Sequence, residues 1–472
     1  MQLSRLRIFI FVIQAGFVGG IFAQVSKPTS TKPAFLTERA DEDYSYLKDS
    51  SRLRGNDALK FIAFGESKNS YLSLGGSFRP RIEHFSNQFW TNNDLTYYSQ
   101  KASLHAKLQL GKHLRIFGEL YHGLVSGNPI FLQSDELDVH QAFIEFETSL
   151  PDHGLFSAKI GRQELKLGAG RLVDLRSGVN IRRAFDMGRI SYSDKKWAIQ
   201  AFYGKEVSIQ FNAFDNVTGL FNRDQLNPLL WGVFTQLIEK GNKQFQGQNE
   251  LYYLGFYRAN GTFSDVTGEE SRHSLGIRRS GNLHHQLSYN TELIFQFGSL
   301  GDQAIRAFSF ETDWRYTFIS ANWNPSPGLK LDWSSGDAEQ GDGRVNSFNP
   351  MFVNPAIYSL AAVNTPVNLT GIHPSILLFP HPKLLINFEY ALYFRASSQD
   401  GLYIPPQILS RQADGQLERH IGDVIGLYVQ FTANRYFSFD IRTSYFIPGS
   451  FIEVSGPSEP IFHIAPTATF MF

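Results

Sequence analysis

IFHIAPTATFMF, Ile461–Phe472, ends the chain, and its parity sets the reading of everything before it. Alternate residues of an extended strand face opposite sides. Phe462, Ile464, Pro466, Ala468, Phe470 and Phe472 then share one face, while His463, Thr467 and Thr469 lie on the other. The period is two rather than 3.6, which makes this a strand with one apolar and one polar side.

The pattern recurs upstream. In Leu104–Leu110, leucines and Ala106 alternate with His105, Lys107 and Gln109. In 287–297, Leu287, Tyr289, Leu293, Phe295 and Phe297 oppose Ser288, Asn290, Glu292 and Gln296. In 308–318, Phe308, Phe310, Trp314, Tyr316 and Phe318 oppose Ser309, Glu311, Asp313, Arg315 and Thr317. In 437–445, Phe437, Phe439, Ile441 and Tyr445 oppose Ser438, Asp440, Arg442 and Ser444. Composition agrees: 42 Phe, 20 Tyr and 40 Gly beside 4 Met suit many strands joined by many turns.

Two classes of exported β protein fit such a chain, a secreted one and an outer-membrane barrel. Export is expected because Arg5 and Arg7 precede an apolar run, Ile8–Phe22, with a cleavage pattern near Ala23. No later apolar run approaches the roughly 20 residues of a spanning helix. Cysteine is absent from the sequence, which excludes a disulfide framework, a thiolate metal site and a cysteine nucleophile. A last alternating strand ending in Phe resembles the signal read by the barrel assembly machinery. Turns also alternate between short, as at Gly111-Lys112, and long, as between Gly336 and Gly371, which suits periplasmic turns and outer loops. The expected architecture is therefore all-β: a transmembrane antiparallel barrel of about 18 strands (16–18) over 71–472. Ahead of it come a signal peptide, 1–23, and an N-terminal periplasmic or lumenal segment, 24–70. At that strand number the lumen is wide enough for an aqueous channel.

Charge within a strand marks the lumen, because Arg or Lys on the lipid side costs about 2–4 kcal/mol at mid-membrane. Parity points Arg79, Arg81 and Glu83 inward, opposite Phe78 and Ile82, and likewise Arg115 and Glu119. Arg315 joins Glu311 and Asp313; Glu389, Tyr393 and Arg395 oppose Phe388 and Leu392; Arg442 sits with Asp440. The stretch GRQELKLGAGRLVDLRSGVNIRRAFD, 161–186, concentrates Arg162, Arg171, Arg176, Arg182 and Arg183 in a chain otherwise balanced at 44 Lys+Arg and 44 Asp+Glu. Its glycines break the alternation, and after Leu167 it reads as a loop at the barrel mouth or folded into the lumen. Arg162 shares parity with Ala158 and Ile160, which sets it outward unless a bulge resets the register. Guanidinium binds carboxylates through paired hydrogen bonds, so a ladder of arginines suits an anionic solute. The plainer alternative is that Arg–Glu and Arg–Asp pairs brace the interior.

Three segments carry a family likeness: GRQELKLGAGRLVDLRSGVNIRRAFD; SGDAEQGDGRVNSFNPMF, 335–352; and YFRASSQDGLY, 393–403, followed by FIPGSFI, 446–452. With LSLGGSFRPRIEHF, 72–85, they resemble the alginate-export family of bacterial outer-membrane proteins, in one order over nearly the whole mature chain. The resemblance implies an 18-stranded monomeric barrel in the outer membrane of a Gram-negative bacterium. Its lumen would guide an anionic poly- or oligosaccharide, a polyuronate such as alginate, by passive passage without a cofactor. It extends the lumenal role to Arg79, Arg81, Arg162, Arg171, Arg176, Arg182, Arg183, Arg395 and Arg442; Arg315 rests on parity alone. Glu83, Glu311, Asp313, Glu389 and Asp440 are the carboxylates that would moderate the grip. The charge balance departs from the pattern and leaves a general or small-anion porin as the alternative.

Other chemistry finds little purchase. Asp337, Glu339 and Asp342 form an acidic loop that lacks calcium-loop spacing. No GxSxG or comparable motif gathers Ser, His and Asp, so an enzyme is not expected. Balanced charge without a basic helical module gives no support to nucleic-acid binding.

Overall fold

The computed structural model describes residues 35–49, 55–65, 69–127, 133–151, 153–216, 227–239, 245–354 and 363–472. The expected signal peptide, 1–23, lies outside them. The main sheet has 20 strands. Two of these are short additions, Ile62–Phe64 and Arg344–Val345, which leaves 18 that build the wall. These run antiparallel from Ser70–Ser86 to Ile461–Met471, each bonded to the next in sequence. The last strand then pairs with the first, with Phe78 opposite Phe470 and Arg81 opposite Thr467. That closure leaves no open edge, so the backbone groups of the wall are satisfied without water. Among the described residues no helix is long and apolar enough to span a membrane.

The two faces of the wall follow from the sequence alternation. Ile160 is 70% exposed and Leu104 60%, both pointing outward between buried lumenal neighbours such as Lys159 and Ser103. One end of the barrel carries tight turns, as between Leu110 and Leu114 and between His381 and Leu384. The other end carries the long connections 164–184, 207–228, 335–368 and 396–419.

The inside is largely filled. The connection 164–184 folds inward, and Leu165, Leu172 and Val173 pack with Phe185, Phe234, Phe348 and Phe352 in a lumenal apolar cluster. Val173 bridges to Phe352, and the Asp174 N–H donates to the Phe352 carbonyl at 3.1 Å, so the connections 164–184 and 335–368 are knitted together. Burying that apolar surface stabilises the inward position by roughly 25 cal/mol per Å². From the tight-turn end, residues 35–49 also enter: Ala40 packs on the lumenal rings of Phe117 and Phe143, and Tyr44 and Leu47 pack on Tyr71.

Candidate functional site

One group of lumenal cations stands in two tiers on the wall formed by 70–193, apart from others such as Arg272, Arg278 and Lys330 elsewhere around the barrel. The lower tier lies near the tight turns. Arg115 is registered opposite Glu145, Glu145 opposite Lys159, and Lys159 opposite Arg189, so four side chains form one row across four adjacent strands. Arg115 is bonded to Glu145, and Lys159 Nζ is 3.6 Å from the same carboxylate. Three cations thus surround Glu145 in the row, Lys107 lies beside them on the neighbouring strand, and Glu147, two residues from Glu145 on the same face, stands in their field. The upper tier begins with Arg79, registered opposite Lys101. Lys101 Nζ lies 5.2 Å over the Tyr121 ring. Arg182 enters this tier from the inward connection, its Nη2 2.7 Å from Glu164 Oε2.

The remaining expected arginines divide by what they hold. Arg79 donates to the carbonyls of Ser177 and Val179 at 2.9 and 2.7 Å, and Arg81 to that of Gly178 at 2.7 Å. Both therefore face the lumen and clamp the tip of the inward connection. Arg171 crosses to Glu311 and Asp332 on the far wall, at 2.5 and 3.1 Å. Arg176 and Arg183 gather on Glu206, at 3.9 and 2.8 Å, and Arg183 also donates to the Phe352 carbonyl. Arg315 faces the lumen near the tight turns, with Nη2 2.9 Å from Ser375 Oγ. Arg442 faces it beside Asp440, Nε to Oδ1 3.2 Å.

Two expectations are corrected. Arg162 is not lumenal: its direct cross-strand neighbour is Asp186, on the outer face shared with Ile160, and Nε reaches Oδ1 at 3.0 Å. No bulge reverses its parity. Gly161, at φ +127°, lets the strand continue where a Cβ would stand 2.3 Å from the Ala142 carbonyl, and Arg162 ends at the loop-side rim. Arg395 has the inward parity, yet its donors are spent on the carbonyls of Ser398, Asp400, Gln416 and Glu418, with Phe451 stacked 3.7 Å beneath the guanidinium. It ties the 396–419 connection together. In the acidic loop the three carboxylates stand apart: the Asp337 N–H donates to Asp400, Asp337 accepts from the Asn346 N–H and Asp342 from the Arg344 N–H, and Glu339 stays exposed. Among the described residues no group of three or more candidate ligands could hold a metal. Burial, then Asp400, Asp265 and Asp342, push the Asp337 carboxyl up to about 6.

The carboxylates expected to moderate the grip all lie on the lumenal face. Glu83 accepts from His463 at 2.8 Å, Glu389 from His373 at 3.0 Å, Glu311 from Arg171, and Asp440 from Arg442; Asp313 stands between Glu311 and Arg315 along their strand. Lys101, Lys159 and Arg189 were not singled out by sequence. Each alternates with an outward neighbour, Ala102, Ile160 and Ile190, so parity alone places them; their gathering into tiers depends on register.

These features define an outer-membrane channel of 18 antiparallel strands. The sequence profile described as alginate export matches residues 70–461, and the chain belongs to that family. No curated protein matches the chain. Solved structures share the fold at low identity. The BenF-like porin from Pseudomonas fluorescens Pf-5 has a TM-score of 0.55 at 10% identity, covering 85% of this chain and 98% of that one. Acinetobacter baumannii OccAB1 has a TM-score of 0.55 at 11% identity, covering 89% and 99%. Pseudomonas aeruginosa OccK2 (OpdF) in complex with glucuronate has a TM-score of 0.53 at 12% identity, covering 85% and 96%. Family and fold are those of transport channels in the Gram-negative outer membrane.

Proposed function

We propose that this channel passes an anionic poly- or oligosaccharide of the polyuronate kind, down its gradient, along the cationic wall. The observation that carries the reading is the row Arg115, Lys159 and Arg189, which holds one carboxylate of its own, Glu145. A row with surplus positive charge inside a low-dielectric wall attracts an anion, and Glu145 weakens the hold enough for release. Lys101 and Arg182 offer the next positions along the same wall. Residues two apart on a strand rise about 6.6–6.8 Å, so a polymer bearing repeated carboxylates can engage one tier while leaving another. The family assignment favours a polyuronate, and glucuronate, held by the OccK2 structure, is a single unit of that chemistry.

The test is ion selectivity in a planar bilayer under a salt gradient, with and without added oligouronate. The reading expects anion selectivity and block by oligouronate, both reduced in Lys159→Gln/Arg189→Gln. The second reading, a general small-anion porin, is favoured by Arg171 and Arg183, whose donors the protein's own oxygens take up. It expects selectivity without oligouronate block.

A further inference from the structure

The N-terminal segment carries Glu38, Asp41, Glu42 and Asp43, four carboxylates to the one cation Arg39 within six residues. It lies on the lower cationic tier. The Arg182 Nη1 donates to the Thr37 carbonyl at 2.8 Å, Arg115 to the Ala40 carbonyl at 3.2 Å, and Lys107 to the Glu42 carbonyl. Asp41 Oδ1 is 3.9 Å from Arg115 Nη2. Burial raises the Asp41 carboxyl, yet Lys159, Arg115, Arg189 and Lys107 together bring it below its ordinary value, so the whole row acts on this one carboxylate.

We propose that residues 38–43 are a tethered anionic occupant of the channel, seated where the diffusing anion would bind and competing with it. The inference rests on the reading of this row as the anion's path. Three features suit an occupant that leaves. Asp41 is 48% exposed to the lumen and touches Arg115 only at the limit of an ion pair, a contact worth little in the presence of water. Its chain is short 3₁₀ turns, Arg39–Asp41 and Ser45–Lys48, that add no strand to the barrel. And the stretch that follows can serve as its tether: Tyr44 and Leu47 pack on Tyr71 of the wall, whereas the bonds from Arg39 to the carbonyls of Phe472, at 2.9 Å, and Gly76, at 3.3 Å, hold the seated state and break when the segment leaves. A group tethered beside its site acts at an effective concentration of roughly millimolar. A free anion therefore displaces the segment only when it is abundant or makes several contacts at once, which sets a threshold favouring a polymer over an isolated small acid.

The experiment compares the full chain with Asp41→Asn/Asp43→Asn in planar bilayers, with oligouronate and with chloride alone; Glu42, which pairs with Arg39 at 2.8 Å inside the segment, is left in place. The expected result is a several-fold rise in mean conductance in the variant. Half-block by oligouronate should come at several-fold lower concentration, because the internal competitor is gone. A synthetic peptide of residues 35–49 should block the variant from one face only. Equal conductance and equal half-block in the two proteins, with the heat-modifiable gel shift of both intact, overturns the occupant and leaves the polyuronate reading standing. A several-fold conductance rise with indifference to oligouronate supports the occupant and overturns the polyuronate reading instead.

Discussion

Arg171 Nη1 lies 2.5 Å from Glu311 Oε2, although Arg171 belongs to a connection rooted at Gln163 and Phe185 and Glu311 stands on the strand Gln303–Tyr316 across the barrel. Asp332 Oδ1, at 3.1 Å, and Ser309 Oγ, at 2.5 Å, complete the socket. The pair is buried and holds the inward connection against the far wall. Removing one partner of such a pair costs about 3–5 kcal/mol, because the other charge stays buried without compensation. In Arg171→Ala the barrel remains, since its ladder is untouched, but the connection loosens. Single-channel conductance is expected to rise and to become noisy. Unchanged conductance with unchanged noise means the connection is held by its apolar contacts instead.

The outward face yields a prediction about stability. Leu104 stands mid-strand and 60% exposed toward lipid. Leu104→Lys is expected to cost about 2–4 kcal/mol, against less than about 1 kcal/mol for Leu104→Phe. Denaturant unfolding in phospholipid bilayers measures both. A tolerated lysine would mean that Leu104 does not meet hydrocarbon.

Parity also predicts chemistry in this cysteine-free chain. Arg79→Cys and Arg442→Cys are expected to react with a water-soluble thiol reagent, and Ile82→Cys and Ile441→Cys only with a lipid-soluble one. Arg162→Cys is expected to behave differently from both pairs, reacting from outside the cell, because it lies at the loop-side rim on the outer face. Reversed labelling of Arg79 and Ile82 would invert the first strand.

How much of this was legible in the sequence follows from what parity can and cannot carry. Alternation such as Phe308, Phe310 and Trp314 against Ser309, Glu311 and Asp313 fixes which face a side chain takes, and eighteen such strands fix the class of fold. Alternation does not fix register. That Lys159 stands level with both Glu145 and Arg189 depends on the stagger between strands, a property of the closed barrel as a whole. The inward connection was legible as irregular, from its glycines; Gly170, at φ +84° and packed against Asp174, makes the turn that delivers Arg171. Its partners were not legible, since Glu311 and Asp332 lie more than a hundred residues away. Residues 35–49 have no period at all, and their seat is set by charges on strands that follow them.

Glu38 gives the seat of that segment a pH dependence whose sign can be worked out. Burial, then Asp41 on the same segment and Glu164 on the inward connection, push its carboxyl up to about 7; Arg182 from that connection and Arg189 from the wall pull the other way without prevailing. Once the segment leaves the lumen, the group returns to its ordinary value, near 4.5. Between these values the seated segment holds a proton that the released one does not. Seating is therefore favoured as pH falls from about 7 toward 4.5, by at most about tenfold per pH unit, and is weakened as pH rises through 7. Asp41 is shifted the opposite way, so its own titration falls below this window. Mean conductance is expected to be higher at pH 8 than at pH 5 in the wild-type chain. Glu38→Gln, neutral throughout, should flatten the profile at the low-conductance level. A pH profile that survives Glu38→Gln unchanged would assign the dependence to another group, with His373, between Asp332 and Glu389, the next to replace.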